Sequence, residues 1–261
     1  MKRYSFISLF LVLLITLIGL KETQSKDLEL IVCDVGQGDA ILIQLGAVQV
    51  LIDGGPDQEV LRCLSQYMPW FDRQIEMVVA THPDADHISG LFDVVSTYQV
   101  ERLLWTGESK ETADFKRFYE LIQAKTSLGL EVINPQRSQV FQIGEETFLR
   151  PLYVFSENIL QDSDAKRYAN SLSVNDGSIA TLLTHGQSKA LLMADIEVAG
   201  EQAMLDMGLL TDANLLKIGH HGSKSSTSLS LLSATRPEIS VISVGKNNQY
   251  GHPSPEVISR L

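Results

Sequence analysis

Basic side chains are scarce in this sequence. Of 261 residues, 21 are Lys or Arg against 32 Asp or Glu, a formal net charge of -11. A surface built throughout to hold nucleic acid neutralises phosphates with Lys and Arg, so this balance excludes that design and leaves only a local basic site. One stretch leans the other way. Residues 214–260 carry Lys217, Lys224, Arg236, Lys246 and Arg260 against Glu238 and Glu256, and hold His220, His221 and His252. Cysteine is nearly absent. Cys33 and Cys63 have no Cys or His neighbour at ligand spacing, so no thiolate metal site is expected. Both are expected to be ordinary small core residues, with a single disulfide as the alternative in an oxidising compartment. Short-period repeats and disorder-prone composition are also missing, and 44% hydrophobic residues suffice for one sizeable domain.

Long apolar runs are absent except for one. Lys2 and Arg3 precede residues 4–20, an uncharged stretch closed by Lys21. As a helix, 17 such residues span roughly 25 Å, the lower edge of a bilayer crossing. Residues 1–26 are therefore expected to be a membrane anchor or a signal segment, with the positive flank inside and the body outside the cytoplasm. No channel-forming helices follow.

Residues 27–261 form the expected domain. The series LELIVCDV, AILIQL and VQVLIDGG, punctuated by Gly, predicts strands and hairpins. A helix is predicted over residues 59–67, then a buried strand IEMVVATH ending at His82, then helices over residues 88–98 and 112–125. In the last of these Phe115, Phe118, Tyr119 and Ile122 share a face and are expected in the core. Further strands are predicted at residues 131–133, 147–154, 178–183, 190–194, 214–218 and 239–244, with a helix at 199–207. Residues 156–173 read as a surface loop, and His185 as a solvated turn residue. Ser254 and Pro255 open a terminal helix as N-cap and first residue. Two halves of strands followed by helices suggest two packed sheets with helices outside.

The chemical signal is THPDADHISG, which places His82, Asp84, Asp86 and His87 directly after an apolar strand. A solvated loop is the plain alternative. Charges clustered at the end of a buried strand, however, need compensation, because unpaired they cost several kcal/mol. Imidazole and carboxylate ligands suit Zn²⁺, Mn²⁺ or Fe²⁺, and the carboxylate enrichment leans toward Mn²⁺.

This stretch resembles the metallo-β-lactamase signature HxHxDH with Asp84 in place of the second His. Together with DVGQGDA at 34–40, LIDGG at 51–55, MADIE at 193–197, LKIGHHGSKSS at 216–226 and YGHPSP at 250–255, it is similar to the ComEC-type branch of that superfamily. The resemblance implies an α/β fold, a four-layer αββα sandwich, which here would follow the N-terminal hydrophobic helix read from residues 4–20. It implies two divalent metal ions, Zn or Mn. His82 and Asp84 would hold one, Asp86 and His87 the other, and Asp195 would bridge them. His220 or His221 matches the last ligand; His220 is favoured because it comes first after the strand. Asp53 would orient the ligand loop by hydrogen bonds, and His252 would touch the substrate phosphate. Where the superfamily has a further His, this chain has Asn175, Asp176 and Ser178, so the first metal is expected to be weakly held. The chain is also expected to stop before such domains end.

The implied reaction is hydrolysis of a phosphodiester, with single-stranded DNA as the leading substrate and a separate DNA-uptake channel protein as partner. Asp86 or Asp195 would take the proton from water, and His252 or Lys224 would stabilise charge on the leaving side. Backbone N–H groups of GHHGSKSS are expected to be open to a phosphate oxygen. Two other readings stand beside this one. The first is a surface phosphodiesterase acting on phosphorylcholine or teichoic-acid polymers, for which no aromatic choline box is identifiable. The second is a catalytically weakened docking module for a membrane channel. β-Lactam hydrolysis is disfavoured by Asp84 and the GHHGS segment.

Overall fold

The computed structural model describes residues 27–136, 139–153 and 172–261. The expected anchor or signal segment and most of the loop over residues 156–173 lie outside the described residues. Among the described residues no helix is long and apolar enough to cross a membrane.

The first half runs β1 (Leu28–Val32), β2 (Ile41–Leu45), β3 (Val48–Ile52), α1 (Glu59–Tyr67), β4 (Gln74–Ala80), α2 (Ala85–Thr97), β5 (Gln99–Trp105), α3 (Ala113–Thr126) and β6 (Glu131–Ile133). Its six strands lie side by side in sequence order. β1 to β3 form an antiparallel meander, and β3 to β6 are parallel, joined by helices. The second half runs β7 (Phe141–Gly144), β8 (Thr147–Tyr153), β9 (Ala180–His185), β10 (Ser188–Leu192), α4 (Val198–Asp206), β11 (Leu215–Lys217), α5 (Leu229–Thr235), β12 (Ile239–Val241) and α6 (Pro255–Arg260). It repeats the plan, with β7 to β10 antiparallel and β10 to β12 parallel.

Period-two side-chain alternation builds the layers. In β2, β3 and β4, Ile41, Ile43, Val50, Ile52, Met77 and Val79 face the second sheet and meet Ile143, Leu149, Leu183 and Leu192. Leu42, Leu51 and Val78 point the other way, into a second apolar layer with Leu64, Leu91 and Phe118 from the helices. Beyond the second sheet, Leu191 and Leu216 pack with Met204, Leu231 and Val257 of its helices. Strands covered on both faces read as continuous apolar runs, as in MVVA at the end of β4. The result is the αββα sandwich.

Several local expectations are corrected. Cys33 and Cys63 are not free core residues. They form a disulfide with Cα atoms 5.8 Å apart, fastening the end of β1 to α1. β4 ends at Ala80, two residues before His82, so the ligand turn begins outside the ladder. β5, β7 and α5 were not predicted. In β5 the motif VERLLW has buried Leu103 and Leu104 side by side, which obscures alternation. His185 closes β9, and its Nδ1 lies 2.7 Å from Oγ1 of buried Thr147, so it is an anchored strand end rather than a solvated turn residue. The terminal helix is as expected: the Ser254 hydroxyl accepts from Val257 N at 3.3 Å.

Candidate metal centre

The site lies where the carboxyl ends of β3 and β4 meet those of β10, β11 and β12. β3 is followed at once by Asp53, held at φ 58. Its buried carboxylate accepts from Thr81 N at 2.9 Å and from Thr81 Oγ1 at 2.7 Å, and lies 2.7 Å from His87 Nδ1. One carboxylate thus fixes the turn after β4 and the ring at the start of α2. The glycines around it are there for space. A Cβ on Gly90 would collide with Gly54 O, and one on Gly38 with Asp86 O, so the loops after β1 and β3 touch the first turns of α2 backbone to backbone.

The hydrogen bonds also assign the imidazole tautomers. The Thr81 hydroxyl spends its single proton on Asp53, so at 3.0 Å it accepts from His82 Nδ1. His87 Nδ1 donates to Asp53, His221 Nδ1 to Ser243 O at 3.0 Å, and His220 Nδ1 to Glu197 Oε1 at 3.0 Å. All four rings therefore engage the protein through Nδ1 and leave the Nε2 lone pair for the centre, the arrangement typical of metal-binding imidazoles.

The four Nε2 atoms converge on Asp195, which follows β10. Asp195 Oδ2 faces His82 Nε2 at 3.7 Å and His220 Nε2 at 3.9 Å. Asp195 Oδ1 faces His87 Nε2 at 3.3 Å and His221 Nε2 at 3.5 Å. Asp86 Oδ2 stands 3.4 Å from His221 Nε2 on this second side. Compact groups such as His82, His87 and Asp195, or Asp86, His87 and His221, can each surround a metal ion.

Divalent cations fit these donors. His82 Nε2 and Asp195 Oδ1 are buried without a hydrogen-bond partner, which costs about 1–3 kcal/mol for each such group. His87 Nε2 and His221 Nε2 lie 3.3 Å apart, close enough to share a proton or to flank one cation. Burial alone would lower the pKa of both rings. Asp195 and Asp53 nevertheless raise that of His87 well above its ordinary value, and Asp39, Asp86 and Asp195 raise that of His221 to about 9. Proton and metal compete for the same lone pairs. Asp195 is held well below the carboxylate range: burial pushes it up, and His87, His82 and His221 outweigh that.

Sequence reasoning left His220 and His221 open with His220 favoured. The structure uses a left-handed kink, φ 45 and 53 at the two residues, to point both rings at Asp195 from opposite sides. His221 is buried and His220 half-buried. Asn175, in the place where the resemblance expects a further His, puts its amide 3.4 Å from the His220 ring. Ser178 lies behind it, its hydroxyl donating to Asn175 O at 2.6 Å. Asp176 accepts from Glu197 N and Gly200 N and ties this turn to the start of α4.

Asp84 is not drawn into these groups. Its carboxylate pairs with Lys110 Nζ at 2.7 Å, at the rim of a cavity of about 110 Å³ that Asp86, Asp195, His220 and His252 also line. His252 lies in that cavity with its ring 5.7 Å from that of His220. Burial first, and then His220 and His221, lower its pKa. Lys224 is exposed and does not line the cavity, because the turn that carries it is tied inward. Of the N–H groups expected to be open to a phosphate oxygen, those of His220, Ser223, Ser225 and Ser226 are bonded within the protein and do not serve that role. A larger cavity of about 780 Å³, lined by Tyr98, Arg102, Lys125 and Glu131, lies at the opposite, amino-terminal ends of β5 and β6, away from these donors.

One pair was missed. Lys217, fully buried on β11, forms an ion pair with Asp39 of the DVGQGDA motif, and Asp39 Oδ1 lies 3.5 Å from His221 Nδ1. Burial alone would raise the Asp39 pKa, but Lys217 and His221 hold it far below the carboxylate range. A lone apolar-flanked Lys in β11 was the available signal.

The family model for the metallo-β-lactamase superfamily matches residues 33–246. The chain belongs to this superfamily of metal-dependent hydrolases. It is 29% identical over 258 residues to ComE operon protein 3 of Bacillus subtilis, covering 91% of this chain and 31% of that protein. It is 27% identical to Recombination protein 2 of Haemophilus influenzae over 260 residues, covering 96% and 28%. Competence protein ComA of Neisseria gonorrhoeae is 27% identical, with 88% and 29% covered. The chain thus spans less than a third of the length of these relatives, in keeping with a ComEC-type metallo-hydrolase domain. Among solved structures, the metallo-β-lactamase fold protein YhfI from Bacillus subtilis superposes with a TM-score of 0.54 at 14% identity, covering 90% of this chain and 92% of that one, and shares the fold.

Proposed function

We propose that this protein is a two-metal phosphodiesterase that cleaves single-stranded DNA outside the cytoplasm during DNA uptake. The observation that carries the hydrolytic part is the convergence of four Nε2 lone pairs on the two oxygens of Asp195. That arrangement argues against a weakened docking module, which would have no use for buried, unpartnered ligand atoms. His82, His220 and Asp195 would hold one cation, and Asp86, His87, His221 and Asp195 the other. When bound, a pair of divalent cations, Mn²⁺ or Zn²⁺, supplies Lewis acidity toward a phosphoryl oxygen and acidifies water near neutral pH.

The side chains of this domain supply the rest. Asp53 and Glu197 lock the ring tautomers of His87 and His220. Asp86, which opens to the cavity where Asp195 is buried, is the carboxylate placed to accept a proton from entering water. His252 offers its ring to a phosphoryl oxygen beside His220. The competence proteins among the relatives support a place in uptake. The disulfide supports an oxidising compartment, and residues 4–20 supply the membrane attachment or the export signal.

The test is cleavage of end-labelled single-stranded DNA by the full chain in detergent, with and without Mn²⁺, alongside His87→Ala and metal analysis. Metal-dependent cleavage lost in the variant is the expected result. Two bound metals and hydrolysis of a small phosphodiester without DNA cleavage would move the substrate to phosphorylcholine or teichoic-acid polymers. No bound metal would leave the docking module.

A further inference from the structure

The loop between β12 and α6 presents an aromatic ring that the hydrolytic reading does not use. Tyr250 is 71% exposed, yet its backbone is tightly held. Asn248 Oδ1 accepts from Tyr250 N at 3.1 Å and from His252 N at 3.0 Å, while Asn248 Nδ2 donates to Gly245 O at 2.9 Å and His252 O at 2.6 Å. Gly245 N donates in turn to Gln37 Oε1 at 3.1 Å. The loop is thus preorganised around one side-chain amide, and it spends that order on holding a large apolar ring in water at the rim of the reaction cavity.

The ring has a defined orientation. It lies nearly parallel to His252, 18° between planes and 5.7 Å between centroids, and His252 stands another 5.7 Å step from His220, whose Nε2 faces Asp195. Tyr250, His252 and His220 therefore form a short aromatic row leading from solvent to the metal centre. His252 lies against the Tyr250 ring, and most of the Tyr250 side chain remains in solvent. The cavity is lined by Gln37, Asp84, Asp86, Asp195, His220, His221 and His252 besides Tyr250, with no Lys or Arg among them, and the nearby Lys110 is taken up by Asp84. A nucleotide bound there gains from a contact that does not depend on charge.

We propose that Tyr250 is a stacking platform for the nucleobase next to the scissile phosphate, taking a purine or pyrimidine on its exposed ring and continuing the row His252–Tyr250–base. The proposal rests on the phosphodiesterase reading and adds the recognition of a nucleotide rather than a bare phosphodiester. Every base has a flat π face, so such a platform is tolerant of sequence. A quaternary ammonium headgroup is best held by several rings enclosing it; a single exposed ring suits a planar base.

The test compares a single-stranded oligonucleotide with one carrying an abasic nucleotide at each position in turn, using the full chain with Mn²⁺ and the variants Tyr250→Ala and Tyr250→Phe. Stacking predicts a KM for intact DNA raised about tenfold in Tyr250→Ala, with kcat within twofold, bound metal unchanged and Tyr250→Phe close to wild type. It also predicts that the wild type loses the same factor when one flanking base is removed, and that Tyr250→Ala is insensitive to that removal. Equal effects of Tyr250→Ala on intact and abasic DNA, or no effect on either, would overturn the platform while leaving the nuclease standing. Failure of the wild type to cleave any DNA, with metals bound, would overturn both.

Discussion

The two sheets supply the same centre in opposite ways. The first sheet delivers His82, Asp86 and His87 from a single turn after β4, and one buried carboxylate, Asp53, orients that turn. The second sheet brings Asp195, His220, His221 and His252 from three separate strand ends, and each is set by its own local device. Ala194, at φ 47, precedes Asp195; a left-handed kink splays the two His; an asparagine clamps the loop of His252. A site of this kind has a compact half, whose ligands stand or fall together, and a distributed half, whose ligands are adjusted one at a time.

The sharpest challenge to that contrast is Asp195→Ala. One isolated residue of the distributed half should abolish turnover as fully as His87→Ala, a loss of at least about a thousandfold, because both oxygens of Asp195 serve the centre. Steady-state rates with metal analysis measure this, and retention of both metals and of turnover in Asp195→Ala would remove Asp195 from the centre. Next in size, His220→Ala and His221→Ala should each reduce bound metal from two ions to about one per chain. Calorimetric titration with Mn²⁺ reads the stoichiometry, and a full complement in His220→Ala would leave only the other three rings as ligands.

The halves are also joined physically. Asp39 comes from the first and Lys217 from the second, and removing one partner leaves a buried charge alone. Lys217→Met should lower unfolding stability by about 3–5 kcal/mol, and Lys217→Met with Asp39→Leu should recover much of it. Urea denaturation of the single and double variants tests this; equal losses would show that the pair does not couple the sheets. The smallest effect is expected at the seam, where the Glu108 carboxyl sits against Gly177. Burial raises its pKa from 4.5 to about 7. The folded state then binds more protons than the unfolded one between those values, so stability is lost as pH rises through that window. Because the group is partly solvated, about 1 kcal/mol is expected. Glu108→Gln should raise the Tm by about 2–4 °C at pH 8 and leave it unchanged at pH 4.

The contrast between the halves also explains what could be read before any coordinates. The compact half was visible because its ligands are neighbours in sequence: THPDADH ends an apolar strand, and charge there has to be compensated. Asp195 and the His pair were assigned through resemblance, since a lone Asp in MADIE has no spacing signal. The disulfide stood only as the alternative, because two cysteines separated by 30 positions carry no pairing information. β5 was missed because its polar first half gives way to the consecutive buried residues Leu103, Leu104 and Trp105, which break the alternation.

The sequence by itself determined the layered α/β plan, the positions of most strands and helices, and the identity of the ligand turn, because period, turn chemistry and charge next to an apolar run are local properties. Tertiary structure alone decided which ring faces which oxygen of Asp195, that Asp84 pairs with Lys110 while His220 and His221 both face Asp195, and that Lys217 meets Asp39 across the sandwich. Those outcomes depend on φ values at single residues and on which lone pairs remain after every Nδ1 has found a partner. Such balances exist only once both sheets are in place.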